Sequence, residues 1–224
     1  MNKKKLRLVA IGLVILIASS GMAAYFILNI ETNKTPANKI RVACIGDSIT
    51  EGTEYPPDLW MLLGANYTVS NFGVGGTTVS FDSQSPYINT SAFQKSLEFQ
   101  PNIVIIMLGT NDAHPINEQY NGSFVDNYVE LVARFQALVS KPKIWIVLPP
   151  PVFSNESGVS PEYFMLTVIP GIEQAANETN LPVINVYSAL ANYSEYFLDG
   201  VHPNSAGAQI IANIIYNSLN SDSA

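Results

Sequence analysis

The chain has 224 residues, of which 47% are hydrophobic and 13% are charged, so it can bury the core of one ordinary domain and is not a disordered chain. The formal net charge is −7, but residues 1–39 hold six of the bases and one acid, which leaves 11 − 6 = 5 bases against 18 − 1 = 17 acids beyond them. Because so acidic a body repels phosphate backbones, no nucleic-acid partner is expected.

The first 28 residues have the pattern of a membrane segment. Four bases (Lys3, Lys4, Lys5 and Arg7) precede an uncharged apolar stretch over residues 8–28. At a rise of about 1.5 Å per residue, this stretch spans a hydrocarbon core of about 30 Å. The one-sided bases favour a cytoplasmic N-terminus, so we predict a membrane anchor over 1–28 and a polar linker over 29–39. A cleaved signal peptide, with a small-residue site at 21–23, is the alternative.

Both alternatives place the rest of the chain outside the cytoplasm. Asn-x-Ser/Thr triplets, which accept glycans in exported proteins, agree with this prediction. They begin at Asn33, Asn66, Asn89, Asn121, Asn155, Asn177 and Asn192. The single cysteine, Cys44, excludes an intramolecular disulfide and a cysteine metal cluster, and its apolar surroundings indicate a buried core residue.

Strands and helices alternate beyond residue 39. Apolar runs predict strands over 40–45, 67–72, 102–108, 143–148 and 182–187. Helical spacing of apolar residues predicts helices over 58–64, 90–99, 123–139, 161–179 and 204–219, with a cap at Thr90 or Ser91 and with a break at Pro170 left open. The alternation predicts one α/β domain over 40–224, a flavodoxin-like three-layer sandwich with a five-stranded parallel sheet.

Four polar motifs follow the predicted strands. They are GDSIT (46–50) after strand one, NFGVGGTT (71–78) after strand two, GTND (109–112) after strand three, and DGVHP (199–203) after strand five. Because the carboxyl ends of parallel strands meet at one edge of the sheet, the four motifs should converge there.

These motifs contain the parts of a serine hydrolase. A serine hydroxyl needs a base to take its proton, and His202 has Asp199 three residues earlier to fix its tautomer, so we predict the triad Ser48, His202 and Asp199. The Ser48 N–H, the Gly76 N–H and the Asn111 side chain would form an oxyanion hole. The other histidine, His114, precedes a proline and is interpreted as a loop residue at the rim.

Each motif also has a structural interpretation that stays open. Asp47 and Ser48 can be helix caps, the glycines of the second motif can form a turn, and Asn111 can brace its own loop. Asp199 and His202 can be a surface turn. Together, these interpretations would have to explain four coincidences of residue type, order and strand end, which favours the catalytic hypothesis.

The four motifs resemble the SGNH hydrolase superfamily, the GDSL-type esterases. The resemblance covers roughly residues 40–220, and Ile49 stands where the name-giving motif has Leu. The matching residues are Gly46, Asp47 and Ser48 in the first motif, Asn71, Gly73, Gly76 and Thr78 in the second, Gly109, Asn111 and Asp112 in the third, and Asp199 and His202 in the last. The resemblance implies a five-stranded parallel sheet, a Ser48 nucleophile, Gly76 in the oxyanion hole, and neither metal nor cofactor.

The same stretches look like a subgroup described as sialate O-acetylesterase-like or lysophospholipase-like. This resemblance implies an exported esterase that removes small acyl groups, above all O-acetyl groups, from glycans or small-molecule esters. The alternative is a membrane-tethered lysophospholipase or thioesterase acting on longer acyl chains, which the predicted anchor motivates. A glycan-binding module without activity is a third hypothesis, but no catalytic residue is missing from the sequence.

Overall fold

A computed structural model of the chain describes residues 39–221, apart from the side chain of Asn121. The predicted membrane segment (1–28) and nearly all of the linker (29–39) lie outside these residues. Within residues 39–221, no helix is long and apolar enough to cross a membrane.

The centre of the fold is a five-stranded sheet whose neighbouring strands are all parallel. The strands are β1 (Ile40–Gly46), β2 (Tyr67–Gly73), β3 (Ile103–Met107), β4 (Lys143–Leu148) and β5 (Val183–Asn185), in the spatial order β2-β1-β3-β4-β5. The chain progresses outward in opposite directions from β1 and from β3, so the topological switch point lies between these two strands. This confirms the predicted parallel α/β sheet and places the GDSIT motif beside the switch point.

Helices cover both faces of the sheet. They are α1 (Ser48–Gly52), α2 (Tyr55–Leu63), α3 (Ser91–Glu98), α4 (Phe124–Gln136), α5 (Pro161–Tyr163), α6 (Ile169–Thr179), α7 (Val186–Leu190) and α8 (Ser205–Ser221). Short 3₁₀ helices span Tyr87–Asn89, Thr110–Ala113, Glu118–Ser123 and Ser194–Tyr196. Thr90 caps α3, since its hydroxyl oxygen accepts the Phe93 N–H at 3.0 Å, and this confirms one of the two predicted caps.

Alternate residues of each strand supply two separate cores. One core packs Ala43, Ile45, Val104 and Ile106 against α3, α4 and α6. The other packs Val42, Cys44, Ile105 and Met107 against α2 and α8. Because β1 and β3 are buried on both faces, they appear in the sequence as continuous apolar runs.

Two predicted elements have other bounds in the structure, and one short helix was not predicted. The strand predicted over 182–187 ends at Asn185, whose side chain accepts the Ser188 N–H at 2.8 Å and thereby starts α7. The helix predicted from residue 58 already begins at Tyr55, since Pro56 and Pro57 fit a first turn that needs no N–H donors. The short helix α1 has no separate signal in the apolar pattern.

The helix predicted over 161–179 is interrupted, but before Pro170 rather than at it. A π-helical turn over Phe164–Val168 joins α5 to α6, and Pro170 lies in the first turn of α6. A proline cannot donate the hydrogen bond that a continuous α-helix would require of it. The wider turn moves Pro170 into the part of a new helix where that donor is not needed.

Candidate active site

Three of the predicted side chains form one hydrogen-bonded chain. Ser48 Oγ lies 2.8 Å from His202 Nε2, and His202 Nδ1 lies 2.6 Å from Asp199 Oδ2. The imidazole therefore contacts both partners through opposite ring nitrogens. With the proton on Nδ1 facing Asp199, Nε2 is free to accept the proton of the Ser48 hydroxyl.

Asp199 and His202 are held by one tight turn. The second carboxylate oxygen of Asp199, Oδ1, accepts the N–H groups of Val201 at 3.0 Å and of His202 at 2.8 Å. Partial burial raises the pKa of Asp199, but hydrogen bonds from the His202 ring and from these two N–H groups outweigh it and hold the pKa well below its usual value. Asp199 is thus a carboxylate at neutral pH, which favours the proton on Nδ1. The side chains of His202 and Asp199 are 41% and 45% exposed, so the site is open to solvent.

Ser48 begins α1 directly after the carboxyl end of β1. Asp47 caps this helix, because its Oδ1 accepts the Ile49 N–H at 3.0 Å, so the cap interpretation is confirmed for Asp47. The first N–H groups of a helix have no partner within it. The Ser48 N–H therefore stands beside its own hydroxyl as a donor for an anion, at the positive end of the turn.

The second motif packs directly on α1. Asn71 Nδ2 donates to the Thr50 carbonyl at 2.7 Å, and Glu51 Oε2 accepts the Gly75 N–H at 2.9 Å. A Cβ atom on Gly73 would lie 2.3 Å from the backbone nitrogen of Glu51, so only glycine allows this approach. The Glu51 side chain therefore binds the loop that carries Gly76, whereas Thr50 contributes its backbone carbonyl.

The loop that carries Gly76 passes beside Ser48, and Asn111 is tied to the same loop. A Cβ atom on Gly75 would lie 3.6 Å from Ser48 Cβ, and Gly76 follows with a φ of 75°, a conformation that favours glycine. Asn111 Nδ2 donates to the Thr77 carbonyl at 3.0 Å, so one of its two N–H groups fixes the amide while the other is not needed for that bond. Gly76 and Asn111 line the same pocket.

Two buried carboxyl groups hold the loops of the site. Asp112 accepts the N–H groups of Val79 at 2.9 Å and of Ser80 at 3.0 Å, which ties the GTND turn to the loop after β2. Burial raises the pKa of Asp112 to about 6, against the lowering effect of these bonds. Burial likewise raises the pKa of Asp47 to about 6, although the Ile49 N–H, the Thr110 hydroxyl and His202 lower it. Within the described chain, Asp47 Oδ2 and Thr110 Oγ1 lack a partner at hydrogen-bond geometry.

The remaining motif glycines occupy the strand ends. Gly46 is the last residue of β1, and Gly109 follows β3 immediately before the 3₁₀ helix Thr110–Ala113. All residues predicted for the site therefore lie along the carboxyl edge of the sheet.

The loop after β4 supports the triad, and the sequence analysis missed this. Ser157 Oγ donates to the Asp199 carbonyl at 3.1 Å, Ser154 Oγ to the same oxygen at 3.3 Å, and the Phe153 N–H to the Gly200 carbonyl at 2.7 Å. The run Pro149-Pro150-Pro151 indicates only that the strand ends. Serines 42 and 45 residues away from Asp199 leave no periodic signal that would have revealed their contact with it.

His114 lies at the pocket of Gly76 and Asn111 and not in the hydrogen-bonded chain of Ser48, His202 and Asp199. It is half-buried and lines the pocket that Gly76 and Asn111 share. Its Nδ1 is buried and, among the described residues, has no hydrogen-bond partner. Within residues 39–221, no group of three or more His, Cys, Asp and Glu side chains is arranged to hold a metal ion.

The sequence model of the GDSL-like lipase/acylhydrolase family matches residues 44–210. The chain belongs to this family. The match spans all four motifs, and the chain keeps Gly-Asp-Ser, Gly-x-Asn-Asp and Asp-x-x-His residues at one sheet edge.

Individual relatives resemble the chain over most of its length. An acetylxylan esterase from Xylanibacter ruminicola is 33% identical over 202 residues, covering 79% of this chain. The chain spans 42% of the length of that relative. Among solved structures, the acetyl xylan esterase AlAXEase has a TM-score of 0.66 at 18% identity, covering 80% of this chain and 100% of that one. Est24, a carbohydrate acetylesterase from Sinorhizobium meliloti, has a TM-score of 0.65 at 19% identity, covering 82% and 99%. These structural likenesses show a shared fold.

Proposed function

We propose that the protein is a serine esterase that removes small acyl groups, chiefly acetyl, from carbohydrates. The observation that carries the proposal is the continuous chain from Ser48 Oγ through His202 to Asp199, with bonds of 2.8 and 2.6 Å. If Asp199 and His202 only formed a surface turn, the two ring nitrogens would not need to face Ser48 and Asp199 at the same time.

The geometry supports a two-step reaction. Ser48 Oγ attacks the ester carbonyl while its proton moves to His202 Nε2, and Asp199 stabilises the imidazolium. The Ser48 N–H, the Gly76 N–H and Asn111 Nδ2 stabilise the oxyanion of the tetrahedral intermediate. His202 then donates its proton to the departing alcohol, which leaves an acyl group on Ser48.

Water completes the cycle by the same route. His202 Nε2 takes a proton from water, the resulting hydroxide attacks the acyl carbon, and the acid leaves as Ser48 regains its proton. Protonation of His202 removes the base in both steps, so activity should fall on acidification.

The preference for acetylated carbohydrate rests on two supports. One is the similarity to an acetylxylan esterase at 33% identity. The other is the openness of the site, where the side chains of His202 and Asp199 are 41% and 45% exposed, as suits a bulky alcohol on the surface of a polymer.

We further propose that the domain acts outside the cytoplasm, tethered by residues 1–28 or released after their removal. The basic cluster and the apolar stretch of the sequence support this placement. The sequon asparagines Asn66, Asn89, Asn155, Asn177 and Asn192 are all exposed, as glycan attachment requires. Protease protection of the full chain in membrane vesicles would test the orientation.

Hydrolysis of 4-nitrophenyl acetate, butyrate and octanoate by the full chain tests the catalytic proposal. We expect rates that fall steeply with acyl length and that vanish in Ser48→Ala. Ser188→Ala is the matched control, since this exposed serine of α7 is hydrogen-bonded through its N–H and not through its hydroxyl. Full activity of Ser48→Ala would refute the mechanism, and rates that rise with chain length would favour a lipid ester as substrate.

A further inference from the structure

Charge is strongly segregated between the two edges of the sheet. The carboxyl edge, where Ser48 lies, is formed by the loops that follow the strands and by the first turns of the helices. Exposed carboxylates are concentrated in these helix starts and loops. They include Glu54, Asp82, Asp126, Glu156, Glu162 and Glu195.

The bases occupy the opposite edge. Lys95 and Arg134 lie in the last turns of α3 and α4, and Lys143 is the first residue of β4. The others, Lys39, Arg41 and Lys141, lie at or just before the start of a strand. Within residues 39–221, no Lys or Arg follows the carboxyl end of a strand or lies in the first turn of a helix. The active-site edge therefore offers carboxylates without a compensating cation.

A pocket lined by Gly76 and Asn111 contains no Lys, Arg, Asp or Glu among its described lining residues. Its other lining residues are Gln84, Ser85, His114, Ile116 and Asn117, and its volume is about 210 Å³. Amide and hydroxyl groups hydrogen-bond to the hydroxyls of a sugar without any need for charge. A bound carboxylate or phosphate would find no Lys or Arg among the described residues that line this pocket, and only a protonated His114 could pair with it.

We propose that the active site selects esters of uncharged alcohols, such as neutral sugars, and discriminates against substrates that carry a carboxylate or phosphate near the ester. This inference rests on the proposed esterase function and narrows its substrate class. Each exposed carboxylate repels an approaching anion weakly through water, but all of them on this edge act in the same direction. Acetylated sialic acid carries a carboxylate and lysophospholipids carry a phosphate, so both would be poor substrates on this ground.

The test compares two esters that differ in one charge. 4-Acetoxybenzamide is neutral, 4-acetoxybenzoate is anionic, and both release acetate from a phenol. We would measure kcat/KM of the full chain for each ester and divide it by that ester's rate of spontaneous hydrolysis. The ratio of the two values is compared at about 10 mM and about 1 M NaCl, because the Debye length falls from about 30 Å to about 3 Å between these concentrations.

We expect the neutral ester to be preferred about tenfold at low salt, which corresponds to about 1.4 kcal/mol, and less than about twofold at high salt. The variant Glu54→Gln/Asp82→Asn/Glu156→Gln/Glu195→Gln should reduce the low-salt preference to about threefold or less. The control Glu98→Gln/Glu130→Gln/Glu173→Gln/Glu178→Gln makes the same change in net charge on α3, α4 and α6. These four residues lie beyond the first turns of their helices, so the control should keep the preference near tenfold.

Equal kcat/KM values for both esters at low salt would overturn the inference. A preference that salt does not change, or one that the control variant reduces as much as the carboxyl-edge variant does, would overturn it too. The salt series needs no variant, so it decides even if a quadruple variant does not fold. Ser48→Ala separates the two levels of the argument. If this variant still hydrolyses 4-acetoxybenzamide, the proposed esterase mechanism is wrong. If the variant is inactive but the unmodified protein shows no charge preference, the mechanism stands and only the inference about substrate charge is wrong.

Discussion

Replacing Asp199 by Asn should remove most of the activity while preserving the fold. The Asn side-chain oxygen can still accept the N–H groups of Val201 and His202, which now bind Oδ1 at 3.0 and 2.8 Å, so the turn is retained. The amide nitrogen, however, would replace Oδ2 and donate to His202 Nδ1. The ring proton would then move to Nε2, where it faces Ser48 and leaves no base for the hydroxyl.

The size of the loss follows from the contact that is removed. A unit charge pair at the 2.6 Å separation of Nδ1 and Oδ2 is worth about 1.6 kcal/mol at a dielectric constant of about 80 and about 6 kcal/mol at about 20. With side chains 41% and 45% exposed, solvent screens the pair and the lower half of this range applies. We expect a transition-state penalty of about 2–4 kcal/mol, or a fall in kcat of about 30-fold to 1,000-fold.

Steady-state kinetics with 4-nitrophenyl acetate measure this fall, and the melting temperature of each variant controls for folding. Asp199→Ala is the comparison, because it also deletes the acceptor of both N–H groups and should lower the melting temperature as well. The reasoning would be refuted by an Asp199→Asn protein with kcat within about threefold of the unmodified value.

Three further predictions concern the groups around Ser48. Asp47→Asn should stabilise the fold by about 1–3 kcal/mol at pH 8 and hardly at pH 4. Burial raises the folded-state pKa of Asp47 from 3.8 to about 6, so the unmodified protein loses stability as this carboxyl ionises between those values. Urea unfolding at both pH values measures the change, and an equal change at the two would contradict the prediction. Gly73→Ala should lower both the melting temperature and kcat by pushing on the Glu51 backbone, whereas Gly52→Ala, whose added Cβ meets nothing within 4 Å, should leave both near their original values. Asn111→Ala should reduce kcat about 10²-fold to 10³-fold with a smaller effect on KM, and an unchanged kcat would exclude Asn111 from the oxyanion hole.

The sheet and most residues of the candidate site could be predicted because their signals are local. A parallel strand buried on both faces is a continuous apolar run, and its carboxyl end fixes where the next polar residues lie. Ser48, Gly76 and Asn111 each follow such an end within a few residues, whereas His202 follows β5 only after α7 and the 3₁₀ helix Ser194–Tyr196. Their convergence follows from topology alone.

The supporting contacts could not be predicted because they join distant segments by single hydrogen bonds. The bonds from Ser154 and Ser157 to the Asp199 carbonyl depend on how two loops pack, and that packing has no periodicity. The end of β5 at Asn185 was missed for a similar reason. The Asn185 side chain caps α7 and so ends the strand, but the apolar pattern of residues 182–187 gives no sign of this cap.

The distance along the chain between nucleophile and base has a consequence for biosynthesis. Ser48 belongs to the first turn after β1, while its base lies 154 residues later, just before the last helix. A ribosome must therefore release nearly the whole domain before the two can meet. Truncated products that end before Asp199 would carry a serine with no means of deprotonating it, so incomplete chains would be unable to attack the esters around them.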